Sequence, residues 1–295
     1  MTMNVSPLTV RALSAALIAA LGVVGSAASQ DGPFRAHLDV TYRETEQRDL
    51  KLDVYVPTTH GDGPHPVVLY IHGGGWVGGD KQWVAAEPLT EIGYAVVSIQ
   101  YRFSTEALWP AQLHDCRAAV RWVRAHAEEY SLDPERIVAA GSSAGGHLAA
   151  MLGTAGNAQE HWLNEPDPAD ADQSFAVQGV INLYGPADLR EPDERTPWHL
   201  VERLLGGAVE TRPAAALSAS PIAYVDAADP PFLMVHGDAD PIVPIAQSRN
   251  FNRALERAGV DTELLEQPGV GHEVNAELAW PVITAFLDDT LTTDE

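Results

Sequence analysis

Cysteine and lysine are the scarcest chemical resources of this 295-residue chain, which has one of the first and two of the second. A lone Cys116 cannot close an internal disulfide, so stability has to come from packing whatever the redox compartment. Cys116 falls on the apolar face of a helical repeat with Leu113, Ala119, Val120 and Val123, which reads as a buried filler rather than a nucleophile. Basic charge is short as well: 18 Lys and Arg face 41 Asp and Glu, a formal net charge of -23. With Lys51 and Lys81 the only lysines and no dense Arg cluster, a polyanion would be repelled over the whole surface, which excludes nucleic acid as a partner. No His, Cys, Asp and Glu set has metal-ligand spacing, so neither a metal nor another cofactor is expected.

Long apolar runs are missing after Val24. The one before it, Leu8 to Val24, carries only Arg11 and ends in the small residues Gly25-Ser26-Ala27-Ala28-Ser29. It reads as a secretory signal over residues 1–29, and the run is short for a membrane span. The expectation is a secreted or periplasmic protein with no stable membrane association after cleavage. Residues 30–295 are then one domain, since 45% hydrophobic and 20% charged side chains suffice for a single large core.

Within that domain short β-branched runs alternate with longer amphipathic ones. The expected strands are His37–Arg43, Leu50–Val56, Val67–Ile71, Ala95–Gln100, Ile137–Ala140, Val177–Tyr184, Phe232–His236 and Thr262–Gln267. The clearest helix is Ala111–Tyr130, with Arg117, Arg121 and Arg124 off its apolar face. This alternation predicts an α/β fold: a mainly parallel eight-stranded sheet with helices on both faces. Two Pro- and Asp-rich stretches, Gly156–Ser174 and Arg190–Asp229, interrupt the rhythm above the sheet's C-terminal edge. They read as loops or a small lid around a site, the second with a short helix at Trp198–Leu205.

Three motifs sit at strand ends. Gly141-Ser142-Ser143-Ala144-Gly145 lies between a strand and a helix, the context of a nucleophile elbow, where small residues must flank a tight turn that lifts the Ser143 hydroxyl over the sheet. His72-Gly73-Gly74-Gly75-Trp76 follows an earlier strand. Glycines there let backbone amides of Gly73 and Gly74, with that of Ala144, approach a developing oxyanion. A base and an orienting acid are still required. His272, after the last strand, is the favoured base among 11 histidines, and Asp238, Asp240 or Glu273 can serve as the acid. The remaining histidines, His147 on the elbow helix among them, read as structural or solvated.

These residues resemble the bifunctional feruloyl and acetyl-xylan esterases, within the hormone-sensitive-lipase-like carboxylesterases, from about Leu50 to Leu287. The likeness also rests on Tyr101-Arg102, on Trp109-Pro110-Ala111-Gln112 with Asp115, on Asp133-Pro134-Glu135-Arg136, on Asn182 to Leu189, and on His236-Gly237-Asp238-Ala239-Asp240. The resemblance implies an α/β-hydrolase with Ser143 as nucleophile, His272 as base and Asp240 as acid. It implies a serine esterase acting through an acyl-enzyme on acetyl, feruloyl or other short esters, small or linked to carbohydrate or polymer. The family's helical N-terminal cap has no counterpart here, so a small cap or none and an open cleft are expected, with His72, Trp76, Trp109, Ser142 and Trp198 as candidate substrate-binding residues. A prolyl-oligopeptidase-like peptidase, a formamidase and an inactive carbohydrate-binding scaffold are the competing readings.

Overall fold

In the parallel part of the sheet whole strands are apolar, because both of their faces are covered. The computed structural model describes residues 32–156, 170–190 and 198–292. The signal-like segment, His161, most of the Gly156–Ser174 stretch and the start of the Arg190–Asp229 stretch lie outside the described residues. Eight strands form one sheet: β1 Phe34–Arg43, β2 Leu50–Pro57, β3 His65–Ile71, β4 Ala95–Ile99, β5 Leu132–Ser142, β6 Gly179–Leu183, β7 Phe232–Gly237 and β8 Thr262–Gln267. Their order is β1-β2-β4-β3-β5-β6-β7-β8. The β1/β2 and β2/β4 pairs are antiparallel and the rest are parallel.

The helices are α1 Glu87–Thr90, α2 Ala111–Ala125, α3 Ala144–Thr154, α4 Trp198–Leu205, α5 Pro213–Ser218, α6 Ala246–Ala258 and α7 Ala276–Leu291. Strand alternation sends Val67, Leu69 and Ile71 into one core with α2, α3 and α6, and Val68 into a second core with α7. This is the α/β-hydrolase fold, and each of the eight expected strands is present. Among the described residues no helix is long and apolar enough to cross a membrane.

The long helix ends at Ala125, five residues before the expected Tyr130. His126 turns its Nδ1 onto the Trp122 carbonyl at 2.9 Å, and Ser131 takes φ 56°, which swings the chain into β5. Arg117 and Arg121, off the helix's apolar face, are nonetheless buried. Their guanidinium carbons lie 4.5 and 5.0 Å from the centre of the Phe175 ring, and Arg117 Nη2 donates to the Ala155 carbonyl at 2.8 Å. Cys116 is buried as expected, and burial pushes its thiol pKa well up.

Buried charge fixes the sheet's edge to the loops that leave it. Asp115 sits under Arg102 and Arg43, at 2.8 and 3.2 Å. Lys81 is buried with its ammonium 2.8 Å from Asp53 on β2 and 3.0 Å from Asp39 on β1. Burial opposes the charge on Lys81, but the two carboxylates overcome it and raise the lysine's pKa. Because Asp53 is itself buried, Lys81→Met strands an uncompensated carboxylate. The expected loss is about 3–5 kcal/mol in urea unfolding, and a loss under about 1 kcal/mol would show that water reaches Asp53 freely.

Candidate active site

The turn from β5 into α3 is where the fold presents chemistry. Ser143 there has φ 54° and ψ -119°, a backbone that side-chain-bearing residues rarely adopt. Its amide donates to the Leu183 carbonyl at 2.8 Å, and its own carbonyl accepts the first helical bond from His147 at 3.0 Å. The turn is tight enough that a Cβ on Gly145 would lie 1.9 Å from the Ile71 carbonyl oxygen. That contact explains why only glycine serves two residues after the serine.

His272 Nε2 is 2.9 Å from Ser143 Oγ, and His272 Nδ1 is 2.7 Å from Asp240 Oδ2. A carboxylate only accepts, so Nδ1 carries the ring proton and Nε2 is left to accept from the serine hydroxyl. Asp240 is the acid in this arrangement. Asp238 instead accepts the Gly269 amide at the surface, at 2.6 Å. Asp240 Oδ1 accepts the amides of Ile242 and Val243 at 2.7 and 2.9 Å. Burial alone would raise the Asp240 pKa, but the bonds from His236, His272 and these two amides hold it well below the usual carboxylate range.

His236 is a participant that the sequence reading passed over. Fully buried, it places Nε2 3.2 Å from Asp240 Oδ2 and 2.9 Å from the Val243 carbonyl, and Nδ1 2.7 Å from Ser248 Oγ. The carbonyl can only accept, so Nε2 carries the proton and Nδ1 accepts from Ser248. One carboxylate oxygen thus serves two imidazoles. A signal was available, since His236 lies four residues before Asp240 in the same strand-end motif. Tyr184, with φ 46°, was also missed. Its ring meets that of His272 edge-on at 4.6 Å.

The glycine loop lies beside the serine. A cavity of about 580 Å³ is lined by Gly73, Gly74, Trp76, Ser142, Ser143, Ala144 and His272, with Leu200 and Val201 of α4 on another wall. Gly74 has φ 111°, and a Cβ there would stand 2.2 Å from the Gly78 carbonyl oxygen. Two expected substrate contacts are corrected. His72 is buried and stacked on Tyr101, at 4.5 Å between ring centres, and its Nδ1 holds the Gly73 carbonyl at 2.7 Å. It acts on the loop's backbone instead: in a trans peptide, pinning the Gly73 carbonyl aims the Gly74 N–H the opposite way. Trp109 donates to Ser218 Oγ at 3.0 Å and packs against the His147 ring, so it braces α5 rather than lining the cavity. The side chain of Trp198 lies outside the described residues.

Trp76 lines the cavity while its Nε1–H reaches His147 Nδ1 at 3.2 Å, and His147 Nε2 donates to the Ala219 carbonyl at 2.7 Å. Both ring nitrogens of this buried histidine are therefore committed in the neutral state. Protonating Nδ1 would set one donor against another. Among the described residues no group of three His, Cys, Asp and Glu side chains could hold a metal ion.

The BD-FAE family matches residues 52–255. Esterase LipQ of Mycobacterium tuberculosis is 35% identical over 255 residues, which cover 82% of this chain and 59% of LipQ. The chain spans between 55% and 59% of the length of LipQ and of the similar LipC and LipM. A truncated carbohydrate esterase from gut microbiota superposes with a TM-score of 0.81 at 28% identity, covering 90% of this chain and 99% of that one. The propionate-bound esterase Est2 of Thermogutta terrifontis gives 0.72 at 27% identity, covering 90% and 98%.

Two outcomes follow from the site's electrostatics and backbone. Burial, the dominant influence, pushes the His147 pKa down to about 4. An unfolded-chain imidazole titrates near 6.5, so the folded protein binds fewer protons between those values. The stability contributed by neutral His147 is complete above about pH 6.5 and declines by up to about 1.4 kcal/mol per unit as pH falls toward 4. Asp229, raised to about 7 by burial, works in the opposite sense. The readout is therefore the difference from His147→Gln, whose Tm should fall less between pH 7 and 4.5 than that of the parent. For the loop, Gly74→Ala should lower both the unfolding midpoint and kcat, the latter by about 10²–10³-fold, because a Cβ at φ 111° meets the Gly78 carbonyl and forces the loop to shift.

Proposed function

The chain belongs to the BD-FAE family, and from this we propose that it is a serine carboxylesterase acting on short-chain or carbohydrate-linked esters, acetyl or feruloyl, outside the cytoplasm. One observation carries the reading: the unbroken chain from Ser143 Oγ through His272 to Asp240, at 2.9 and 2.7 Å, opening into a cavity with the glycine loop. His272 Nε2 takes the hydroxyl proton as Ser143 Oγ attacks the ester carbonyl. The carbonyl π electrons move onto oxygen, where the amides of Gly73, Gly74 and Ala144 meet the charge. The tetrahedral adduct collapses, the alcohol oxygen leaves with the proton from His272, and an acyl-serine remains. Water, deprotonated by the same nitrogen, then reverses the sequence and frees the acid. Asp240 holds the imidazole with its bare nitrogen toward Ser143 and balances its transient positive charge.

The hydrogen bonds that depress Asp240 keep this carboxylate charged across the working range, ready to balance the imidazole. Support for short acyl groups comes from the exposed glycine loop and from the likeness to the propionate-bound Est2. Support for export comes from the apolar segment before Gly25.

Ser143→Ala should reduce turnover of p-nitrophenyl acetate by at least about 10⁴-fold while leaving the fold intact, and a fluorophosphonate should label the parent at Ser143 in a one-to-one ratio. Full turnover by Ser143→Ala would overturn the mechanism. Peptide or formamide cleavage with negligible ester hydrolysis would move the assignment to an amidase on the same residues, and an unlabelled, inactive parent would point to a binding scaffold.

A further inference from the structure

A second cavity, of about 320 Å³, lies on the other face of the sheet from α2 and α3, between the Lys81–Leu89 segment and α7. Its floor is Val68, Ala140 and Ile181, and Trp280 and Ile283 of α7 form a wall. Nothing in the proposed chemistry uses it. It nevertheless shares three residues with the cavity that holds Ser143: Trp83, Ser142 and Tyr184 line both.

The shared edge is built differently from ordinary packing. Tyr70 donates to Ser142 Oγ at 3.2 Å, and Tyr184 lines the cavity beside them. Two of the hydroxyl groups are thus paired with each other, and the rest of the lining is apolar but for Tyr184, Gln82 and Glu273. Trp83, a large apolar side chain 51% exposed, stands where the two cavities meet. Close-packed interiors do not leave hollows of this size, and a large exposed tryptophan beside one marks a surface that meets a ligand. The position is one residue from the nucleophile and in ring contact, through Tyr184, with the base.

We propose that this cavity is a second subsite, which receives the apolar alkyl or aryl substituent of an ester whose carbonyl is held at Ser143. An apolar cavity of about 150 Å³ already takes a benzene ring, so this one has room for a ring or a chain of several methylenes. The chemistry is the same whether the substituent belongs to the acyl or the alcohol half, because both halves leave the carbonyl carbon beside Ser143. The subsite rests on the esterase reading for its link to turnover but not for its binding.

The test uses the full chain and two ester series. One is p-nitrophenyl acetate, butanoate and octanoate; the other is ethyl, hexyl and phenylethyl acetate. Each methylene that enters an apolar site contributes up to about fourfold in kcat/KM, so one series should rise with length. A rise in the acyl series assigns the cavity to the acid, and a rise in the alcohol series assigns it to the leaving group. Ala276→Phe, at the half-buried rim, should reduce the long-to-short ratio of that series at least tenfold, and Ala279→Leu should do the same from deeper in the cavity. Flat profiles in both series, or ratios unchanged in folded forms of both variants, would overturn the subsite. Calorimetric titration of octanoate and of 1-octanol into the Ser143→Ala protein separates this failure from that of the esterase reading. Binding of either that is lost in Ala276→Phe supports the subsite even if no ester is turned over, and no binding of either overturns it.

Discussion

The site depends on one strained residue being held where it is. A left-handed backbone at a non-glycine costs on the order of 1–3 kcal/mol and persists only when the surroundings over-determine it. At Ser143 three central strands do so. The parallel register sets Ile71 beside Gly141 and Leu183 beside Ser142. Gly145 is thereby pressed on the Ile71 carbonyl, and the Ser143 amide is captured by Leu183. The same register puts the glycine loop, which continues from Ile71, alongside the serine. Nucleophile and amide donors are therefore neighbours because β3 and β5 are neighbours.

Around this turn the loops are pinned by polar groups that packing alone could not orient. His72 holds the Gly73 carbonyl, His147 ties Trp76 to the 219 segment, Lys81 ties the loop beyond the glycines to β1 and β2, and His236 ties Asp240 to Ser248. Three of the four are imidazoles. In each ring at least one nitrogen faces a backbone carbonyl, which fixes where the proton sits and so the direction in which the partner points. The fourth is one of only two lysines in a chain of net charge -23. A scarce cation is placed where two carboxylates meet, the position at which its loss is least replaceable.

Much of this was legible in the sequence, and the boundary of legibility has a physical cause. The central strands could be read because strands buried on both faces are continuous apolar runs rich in β-branched residues, as Ala95–Ile99 is. Ser143 and the glycine loop could be read because tight turns admit few residue types. Asp240 over Asp238 could not be settled from local pattern, since both follow the same strand and only the loop through Ile242 and Val243, which folds its amides onto one carboxylate, distinguishes them. His72 and Trp109 were assigned to the cleft on residue type, yet neither lines the cavity at Ser143, because the direction of a side chain at a loop depends on long-range partners such as Tyr101 and Ser218. The burial of Arg117 and Arg121 could not be read for a related reason: helical periodicity puts them off the apolar face, and it has no knowledge of Phe175, more than fifty residues away, that covers them.

Substrate size is the quantity on which the two levels of description pull apart. On the proposed reading the cavity at Ser143, which has the glycine loop on its wall, takes a small group beside the ester carbonyl. The sheet's other face adds a mostly apolar hollow whose polar lining is the hydrogen-bonded Tyr70 and Ser142, with Tyr184, Gln82 and Glu273. These features are compatible if one half of the ester is small and the other is not. Trp83 and Tyr184, which line both cavities, are then the residues at which the fold chooses between substrates, whereas the chain from Ser143 to Asp240 determines only that a carbonyl is attacked. On the proposed reading, reaction and selectivity are carried by different strands: the hydroxyl and imidazole by the segments that follow β5 and β8, and the choice by the segment after β3 and the end of β6.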